Sequence, residues 1–287
     1  MNNFLVIPNK TKSRSLELTR EIIKWLSLKG INCFVQADIG KLYGLEEFIK
    51  PEEEALQLAE CAIILGGDGT ILSAARKLSP YHIPILAVNL GRLGFLAEVD
   101  AKDIISTLEQ IEEGNFCIES RMMLETKIVN KDEVLNLGLA LNDVVATRGA
   151  ISRMVGYRVY VNNELVNTYY ADGIIISTPT GSTAYNLSAG GPILTPHNEM
   201  IVITPICPHS LTARSIVVSS KDKIRITFGH NLKSIDKDIQ LTIDGQQVIP
   251  ITNETEIYIE KSNVYTKLIQ FKNIDFFTLL RKKLAGN

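Results

Sequence analysis

Short apolar runs alternate with amphipathic helical patterns at the start of the chain. Phe4–Ile7 and Ala62–Leu65 are continuous apolar runs of strand length, and proline or glycine follows each of them. Leu18 and Ile22 begin a four-residue repeat that is typical of one buried helix face. Residues 36–50 show neither pattern and are predicted to form a loop. Strands that alternate with helices at this spacing predict an α/β fold with a parallel sheet.

The pattern changes towards the second half of the chain. Residues 119–261 contain many short runs in which apolar and polar side chains alternate, which predicts a mainly β domain. Asn162–Asn163 lies between two of these runs and predicts a hairpin turn, because asparagine tolerates a positive φ. Residues 262–287 return to helical spacing and are predicted to pack back on the first domain, residues 1–118.

Composition narrows the class of protein. The chain has 287 residues, 22% of them charged, and a formal net charge of -2, so it lacks the basic bias of a nucleic-acid-binding surface. Its N-terminal apolar run is too short for a secretory signal, and no stretch reaches the length of a membrane span. The four cysteines lack paired spacing, which argues against a disulfide framework or a zinc site. The sequence therefore predicts a cytoplasmic protein that binds neither nucleic acid nor membrane.

The first stretch with chemical interest is Gly66–Thr70, here called the aspartate turn. It follows the strand Ala62–Leu65 and precedes a helical pattern, and its glycines are expected to adopt dihedral angles that other residues avoid. A glycine turn before a helix N-terminus is an anion site. Asp68 is unusual there, because a carboxylate beside phosphate needs a shared Mg²⁺ ion or a proton to accept. The alternative is that Asp68 only caps the helix.

The second stretch is Ser177–Pro192, here called the serine-threonine turn. Its serine, threonine, glycine, alanine and proline content resembles that of a linker, yet it follows a buried strand and contains Tyr185 and Leu187. We therefore expect it to be ordered and to bring backbone and hydroxyl groups close to a polar ligand, with Tyr185 against a base or a ribose. The alternative is a packed turn that caps a helix at Ser182.

Several motifs together identify a family resemblance. Gly66–Thr70, Asn142–Asp143 and Asp172–Pro192 closely resemble the corresponding motifs of the NAD kinases. The resemblance extends to Asn89–Phe95 and Phe276–Leu284 and covers most of the chain. The aspartate turn is shared with diacylglycerol and sphingosine kinases, whereas the serine-threonine turn is characteristic of NAD kinases.

The resemblance implies a reaction and its participants. The γ-phosphoryl group of ATP is transferred to the 2′-hydroxyl group of the adenosine ribose of NAD, which gives NADP, and Asp68 is the catalytic carboxylate. Mg²⁺ accompanies ATP near Asp68, and no metal site is fixed by the protein alone. NAD and ATP are the implied partners, the protein is a homodimer or homotetramer, and the use of polyphosphate as a second donor stays open.

The resemblance also implies substrate contacts along the chain. Those early in the chain face the phosphates or adenosine, and the later ones face NAD, with Asp172 at the nicotinamide end. Many relatives carry glutamate where Asp143 stands. The side chain here is one methylene group shorter and keeps the charge. The implied positions are Gly67, Gly69, Thr70, Phe95, Asn142, Asp143, Arg153, Tyr170, Asp172, Thr180, Thr183, Ala184, Tyr185, Asn186, Leu187, Ser188 and Gln246.

Two other functions remain open at the level of sequence. The aspartate turn also suits a lipid or sphingoid kinase, although the polar serine-threonine turn argues against an apolar acceptor pocket. A catalytically silent sensor of NAD or NADPH is the alternative outside enzymes, and the intact Asp68 argues against it. Phosphorylation of a lipid, or binding without turnover, would distinguish these alternatives.

Overall fold

The computed structural model describes residues 1–91, 94–97, 99–131, 133–149, 155–229, 239–271 and 276–285. The chain divides into two compact units. Unit 1 comprises residues 1–120 and 265–287, and unit 2 comprises residues 121–264. None of the helices in the described ranges has the length and the apolar character that a membrane-spanning helix requires.

The elements follow one another along the chain with helices concentrated in unit 1. The strands are β1 (Asn3–Pro8), β2 (Asn32–Val35), β3 (Cys61–Gly66), β4 (Ile85–Asn89), β5 (Val99–Asp100), β6 (Cys117–Asn130), β7 (Glu133–Ala140), β8 (Asp143–Arg148), β9 (Val155–Val161), β10 (Glu164–Ala171), β11 (Gly173–Ser177), β12 (Met200–Ile206), β13 (Ile216–Ser219), β14 (Ile224–Phe228), β15 (Ile239–Ile243), β16 (Gln247–Ile251) and β17 (Glu256–Gln270). The helices are α1 (Ser13–Leu28), α2 (Ala37–Tyr43), α3 (Glu52–Leu58), α4 (Asp68–Leu78), α5 (Ile104–Glu112), α6 (Tyr185–Ser188) and α7 (Phe276–Leu284).

Unit 1 has the predicted α/β architecture. Its parallel strands run in the order β4-β3-β1-β2, with β5 and the end of β17 also parallel to β4. Strand β3 is buried along its whole length, as expected for a central parallel strand with both faces covered. Its register pairs Gly66 with Asn89, so β3 and β4 end at the same edge of the sheet. Ligands of open α/β sheets bind beyond this edge.

The helices of unit 1 agree with the predicted apolar spacing in most places. The buried face of α1 includes Leu18, Ile22 and Leu26, and Gly30 follows the helix with a φ of 70°, as expected for a helix-terminating glycine. The predicted loop over residues 36–50 is wrong. It contains α2 and a short 3₁₀ turn, because Ile39 and Tyr43 lie four residues apart on a buried face.

Unit 2 is mainly β, as predicted. One sheet has the antiparallel order β13-β12-β11-β8-β15-β16, and β10, β9, β14 and the start of β17 are adjacent antiparallel strands. The predicted hairpin is present, since Asn162 and Asn163 have φ values of 49° and 70° and connect β9 to β10. Strands β7 and β16 lie at sheet edges with mostly exposed side chains, so the apolar alternation that predicts a strand is weak in both.

The C-terminal helix α7 belongs to unit 1, as predicted. Its Phe276 ring lies 6.4 Å from the ring of Phe95. The ammonium group of Lys283 lies 5.7 Å from the centroid of the same Phe95 ring. The end of the chain therefore packs against the loop that follows β4.

Candidate active site

Asp68 is the first residue of α4 and lies just beyond the carboxyl end of β3. Its carboxylate does not cap its own helix. Instead, the backbone N–H of Phe95 donates to Asp68 Oδ2 over 2.9 Å, and that of Leu96 donates to Asp68 Oδ1 over 3.2 Å. An ionised carboxylate offers about four acceptor sites, so two remain for a ligand. The structure therefore contradicts the alternative in which Asp68 only caps α4.

The glycines around Asp68 allow other atoms to come close to the backbone. The expectation that they adopt unusual dihedral angles is wrong. None of Gly66, Gly67 and Gly69 has a φ in the left-handed region. A Cβ on Gly66 would lie 2.4 Å from the Oγ1 atom of Thr70, so glycine makes room for that side chain. Among the described residues, and apart from their chain neighbours and the adjacent helix backbone, no atom lies within 4 Å of the position that a Cβ on Gly67 or Gly69 would take. A ligand can therefore reach this backbone closely.

Two residues that sequence reasoning missed support the aspartate turn. A Cβ on Gly94 would lie 1.8 Å from Asp68 Oδ1, so only glycine leaves room for the carboxylate in its observed position. Asn9, which follows β1 at the same edge of the sheet, donates from Nδ2 to Thr70 Oγ1 over 2.9 Å. The signal for Gly94 was present in the Asn89–Phe95 motif, but nothing in the sequence showed which side chain it faces.

In unit 2, three turns meet at the start of β8. Strand β8 lies between β11 and β15 and runs antiparallel to both, with Asp143 opposite Ser177 and Val144 opposite Ile243. The turns that follow β11 and β15 therefore converge on Asn142 and Asp143. Asp244, in the turn after β15, is the main residue here that sequence reasoning missed. Its Asp-Gly dipeptide is a hairpin signal that could have located it.

Asp143 is buried, with 5% of its surface exposed. Burial and, to a lesser extent, repulsion from the nearby Asp244 raise the pKa of the Asp143 carboxyl from 3.8 to about 7. The protonated acid therefore persists in the folded protein over a pH range in which an exposed aspartate is ionised. Near neutral pH the group can both donate and accept hydrogen bonds.

This raised pKa predicts a stability change with pH. Between the ordinary pKa of 3.8 and the folded value of about 7, the folded state binds one proton more than the unfolded state, so the free energy of unfolding falls as pH rises. The neutral Asp143→Asn variant should lack this loss, which is on the order of 4 kcal/mol. Urea denaturation at several pH values between 4 and 8 measures it. Parallel pH profiles for both proteins would contradict the prediction.

The serine-threonine turn is ordered, as expected, and the side chains of Ser182 and Asn186 in its interior form hydrogen bonds. Ser182 Oγ donates to the carbonyl of Pro179 over 2.6 Å, and the N–H of Leu194 donates to Ser182 Oγ over 3.0 Å. Asn186 is completely buried, and its amide bonds the carbonyls of Ser182 and Pro192 and the hydroxyl of Thr204. Asn186 thus supports the turn itself, and its implied ligand contact stays a prediction.

The remaining implied contacts in the turn differ in exposure. Tyr185 and Ser188 are exposed, Thr183, Ala184 and Leu187 are half-buried, and Thr180 is buried. A ligand can reach the exposed residues directly. The contacts of these residues with NAD stay predictions.

Asp172 and Tyr170 lie near the end of β10. The guanidinium of Arg148 donates to Asp172 Oδ1 over 2.7 Å, and this contact raises the pKa of Arg148. Tyr170 lines a cavity of about 560 Å³ together with residues such as His209 and Arg214. Gln246 is exposed in the turn that contains Asp244. Arg153 lies outside the described residues.

No cluster of three or more His, Cys, Asp or Glu side chains that could hold a metal occurs in the described part of the chain. The aspartate turn offers one carboxylate, and the N–H groups of Phe95 and Leu96 already bond it. This donor set fits Mg²⁺ that arrives with nucleotide phosphates, because Mg²⁺ is usually held by one or two carboxylates together with substrate phosphates.

The parallel sheet with an aspartate turn at its carboxyl edge and the mainly β unit with its ordered polar turn suit a two-domain protein that binds phosphate groups. Comparison with known proteins shows the family to which the chain belongs. Residues 4–116 match the ATP-NAD kinase N-terminal domain, and residues 141–271 match the ATP-NAD kinase C-terminal domain. An NAD kinase of Caldanaerobacter subterraneus subsp. tengcongensis is 50% identical over 281 residues, which cover 98% of each chain.

Two crystal structures are similar over nearly the whole chain. Yeast NADH kinase complexed with NADH has a TM-score of 0.88 and 27% identity, and the match covers 100% of this chain and 88% of that one. An NAD kinase from Archaeoglobus fulgidus in complex with ATP has a TM-score of 0.74 and 25% identity, with 99% of each chain covered. The chain belongs to the NAD kinase family and is therefore an enzyme, a kinase.

Proposed function

We propose that this enzyme transfers the γ-phosphoryl group of ATP to the 2′-hydroxyl group of the adenosine ribose of NAD and so produces NADP. The observation that carries the proposal is the position of Asp68. Two backbone N–H groups orient its carboxylate at the ligand-binding edge of the sheet, beside the N-terminus of α4. The family membership and the relatives crystallised with NADH and with ATP support the choice of substrates.

Asp68 acts as the general base. The bonds from Phe95 and Leu96 use acceptor sites on both of its oxygens, and the remaining lone pairs accept the proton of the ribose hydroxyl. The hydroxyl oxygen then attacks the γ-phosphorus atom, and the bond to the β-phosphate oxygen of ATP breaks. Such a transfer needs positioning and charge stabilisation rather than covalent chemistry from the protein.

The phosphates of ATP lie against the aspartate turn. Gly67 and Gly69 carry no side chain that would keep an anion away from their backbone, and the positive end of the α4 dipole favours an anion there. Thr70, fixed by Asn9, belongs to the same surface. Bound Mg²⁺ supplies neutralisation of phosphate charge near Asp68.

Unit 2 binds NAD. Asn142 and Asp143 bond ribose hydroxyls or the adenine amino group, and the exposed part of the serine-threonine turn holds adenosine and ribose. Asp172 lies at the nicotinamide end, oriented by Arg148. The family resemblance adds Phe95, and more loosely Arg153, Tyr170, Thr180 and Gln246, to the expected substrate contacts. The homodimer or homotetramer implied by the family resemblance and the cytoplasmic location expected from the sequence stay predictions, which sedimentation and cell fractionation test.

A coupled assay tests the proposed function. Purified protein is incubated with ATP, Mg²⁺ and NAD, and an NADP-specific dehydrogenase reports NADP. We expect NADP formation that requires both substrates and stops when EDTA removes Mg²⁺. Parallel reactions with NADH as acceptor and polyphosphate as donor define the substrate range. Folded protein that binds NAD without turnover would favour the sensor alternative, and phosphorylation of a lipid instead of NAD would favour the lipid kinase alternative.

A further inference from the structure

Asp244 occupies an unusual position in the turn between β15 and β16. It has a φ of 51°, a left-handed conformation that few residues other than glycine, asparagine and aspartate adopt readily. It is also 7% exposed, although aspartate is seldom buried without bonded partners. A left-handed backbone and a buried carboxylate both cost free energy, so we expect the side chain to form contacts that offset this cost.

The Asp244 carboxylate binds three successive backbone N–H groups at the start of β8. Leu141 donates to Oδ2 over 3.0 Å, and Asn142 and Asp143 donate to Oδ1 over 2.7 Å and 3.2 Å. In the reverse direction, the N–H of Asp244 donates to the carbonyl of Asp143 over 2.9 Å. Hydrogen bonds to an ionised acceptor are stronger than neutral ones, so this contact fixes the backbone of all three residues.

The carbonyl groups of the same segment are held from the opposite side by the serine-threonine turn. Thr178 Oγ1 donates to the carbonyl of Leu141 over 2.6 Å, and the N–H of Thr178 donates to the carbonyl of Asn142 over 2.9 Å. Gly181 lies so close that a Cβ there would be 2.1 Å from the Asn142 carbonyl oxygen. The turn after β15 therefore holds the N–H groups of residues 141–143, and the serine-threonine turn holds the carbonyl groups of Leu141 and Asn142.

We propose that Asp244 is a positioning residue for NAD binding, which acts by holding Asn142 and Asp143 in the orientation that meets the ribose and adenine. The inference rests on the proposed function, in which Asn142 and Asp143 bind NAD. Asp244 itself is not a catalytic residue. It lies in unit 2, whereas Asp68 and the phosphate-binding backbone of the aspartate turn lie in unit 1. We therefore expect its loss to lower the affinity for NAD, while Asp68 keeps its hydrogen bonds to Phe95 and Leu96.

The test compares Asp244→Asn with wild type. Asparagine tolerates a positive φ and keeps the size of the side chain, but its NH₂ group faces one of the three N–H donors and cannot accept from it. We expect the KM for NAD to rise about tenfold or more, with kcat and the KM for ATP within about threefold. Calorimetric titration with NAD should show the same loss of affinity. Asp222→Asn is the matched control, since Asp222 also accepts a turn N–H, from Ser219, and should leave all three constants unchanged.

A second pair of variants keeps the test decisive if Asp244→Asn does not fold. Thr178→Val removes the hydroxyl on the opposite side of the segment, and Thr178→Ser retains it. The valine variant should raise the KM for NAD selectively, and the serine variant should resemble wild type. A folded Asp244→Asn or Thr178→Val protein with unchanged NAD affinity, or one in which only kcat falls, overturns the inference. Absence of NADP formation by wild type would instead contradict the proposed function, and the NAD titrations would still test the inference.

Discussion

The Asp68→Asn variant is expected to lose about two to four powers of ten in kcat while its affinity for NAD stays within about threefold. A general base contributes roughly this factor, and an amide cannot accept the proton of the ribose hydroxyl. The substitution keeps the shape of the side chain, and its amide oxygen can still accept the 2.9 Å bond from Phe95. The bond from Leu96 is lost, because the amide NH₂ group is a donor.

The measurement separates catalysis from folding. Thermal denaturation should show a loss on the order of 1 kcal/mol for the missing hydrogen bond, and the coupled assay should show the far larger loss of turnover. Asp38→Asn is the matched control, because Asp38 lies in the first turn of α2 in the same unit and is exposed. It should retain full activity. A folded Asp68→Asn protein with near-normal kcat would refute the role of Asp68 as a base.

The Gly94→Ala variant is expected to lower kcat by about a hundredfold or more, although Gly94 carries no side chain. The added methyl group would lie 1.8 Å from Asp68 Oδ1 and 2.5 Å from Oδ2, so the carboxylate must leave its observed position. It then loses the orientation given by Phe95 and Leu96, and a displacement of about 1 Å at a reacting group can cost a hundredfold in rate. The φ of Gly94 is not in the left-handed region, so backbone strain is not the cause.

Two comparisons isolate this effect. Gly91→Ala adds a methyl group in the same loop, where the nearest described atom outside its chain neighbours is Lys12 Nζ at 3.8 Å, and should change kcat by less than about threefold. In the Asp68→Asn background, Gly94→Ala should have little further effect on kcat, because both changes disable the same carboxylate. Additive losses in this double-mutant cycle would show that Gly94 acts independently of Asp68.

The sequence predicted the parts of the fold that depend on local pattern. The fully buried β3 is a run of apolar residues that ends at glycine, and the buried face of α1 repeats every four residues. Prediction from the sequence failed where the apolar pattern was short or lay on exposed residues. The helix α2 has two turns and contains Gly40, whose lack of a Cβ is needed because Ile49 packs against it, and this contact is not visible along the chain.

The sequence by itself determined that the chain has an α/β part and a mainly β part, that Asp68 follows a central strand, and that Asn142–Asp143 and the serine-threonine turn carry polar groups. These features lie in continuous stretches, and local spacing is enough to find them. Only the tertiary structure decided how the polar groups are held. Gly94 makes room for a carboxylate 26 residues earlier, and Asp244 binds backbone that is about a hundred residues away. Sheet register brings such pairs together, and register depends on the packing of whole strands rather than on any one stretch.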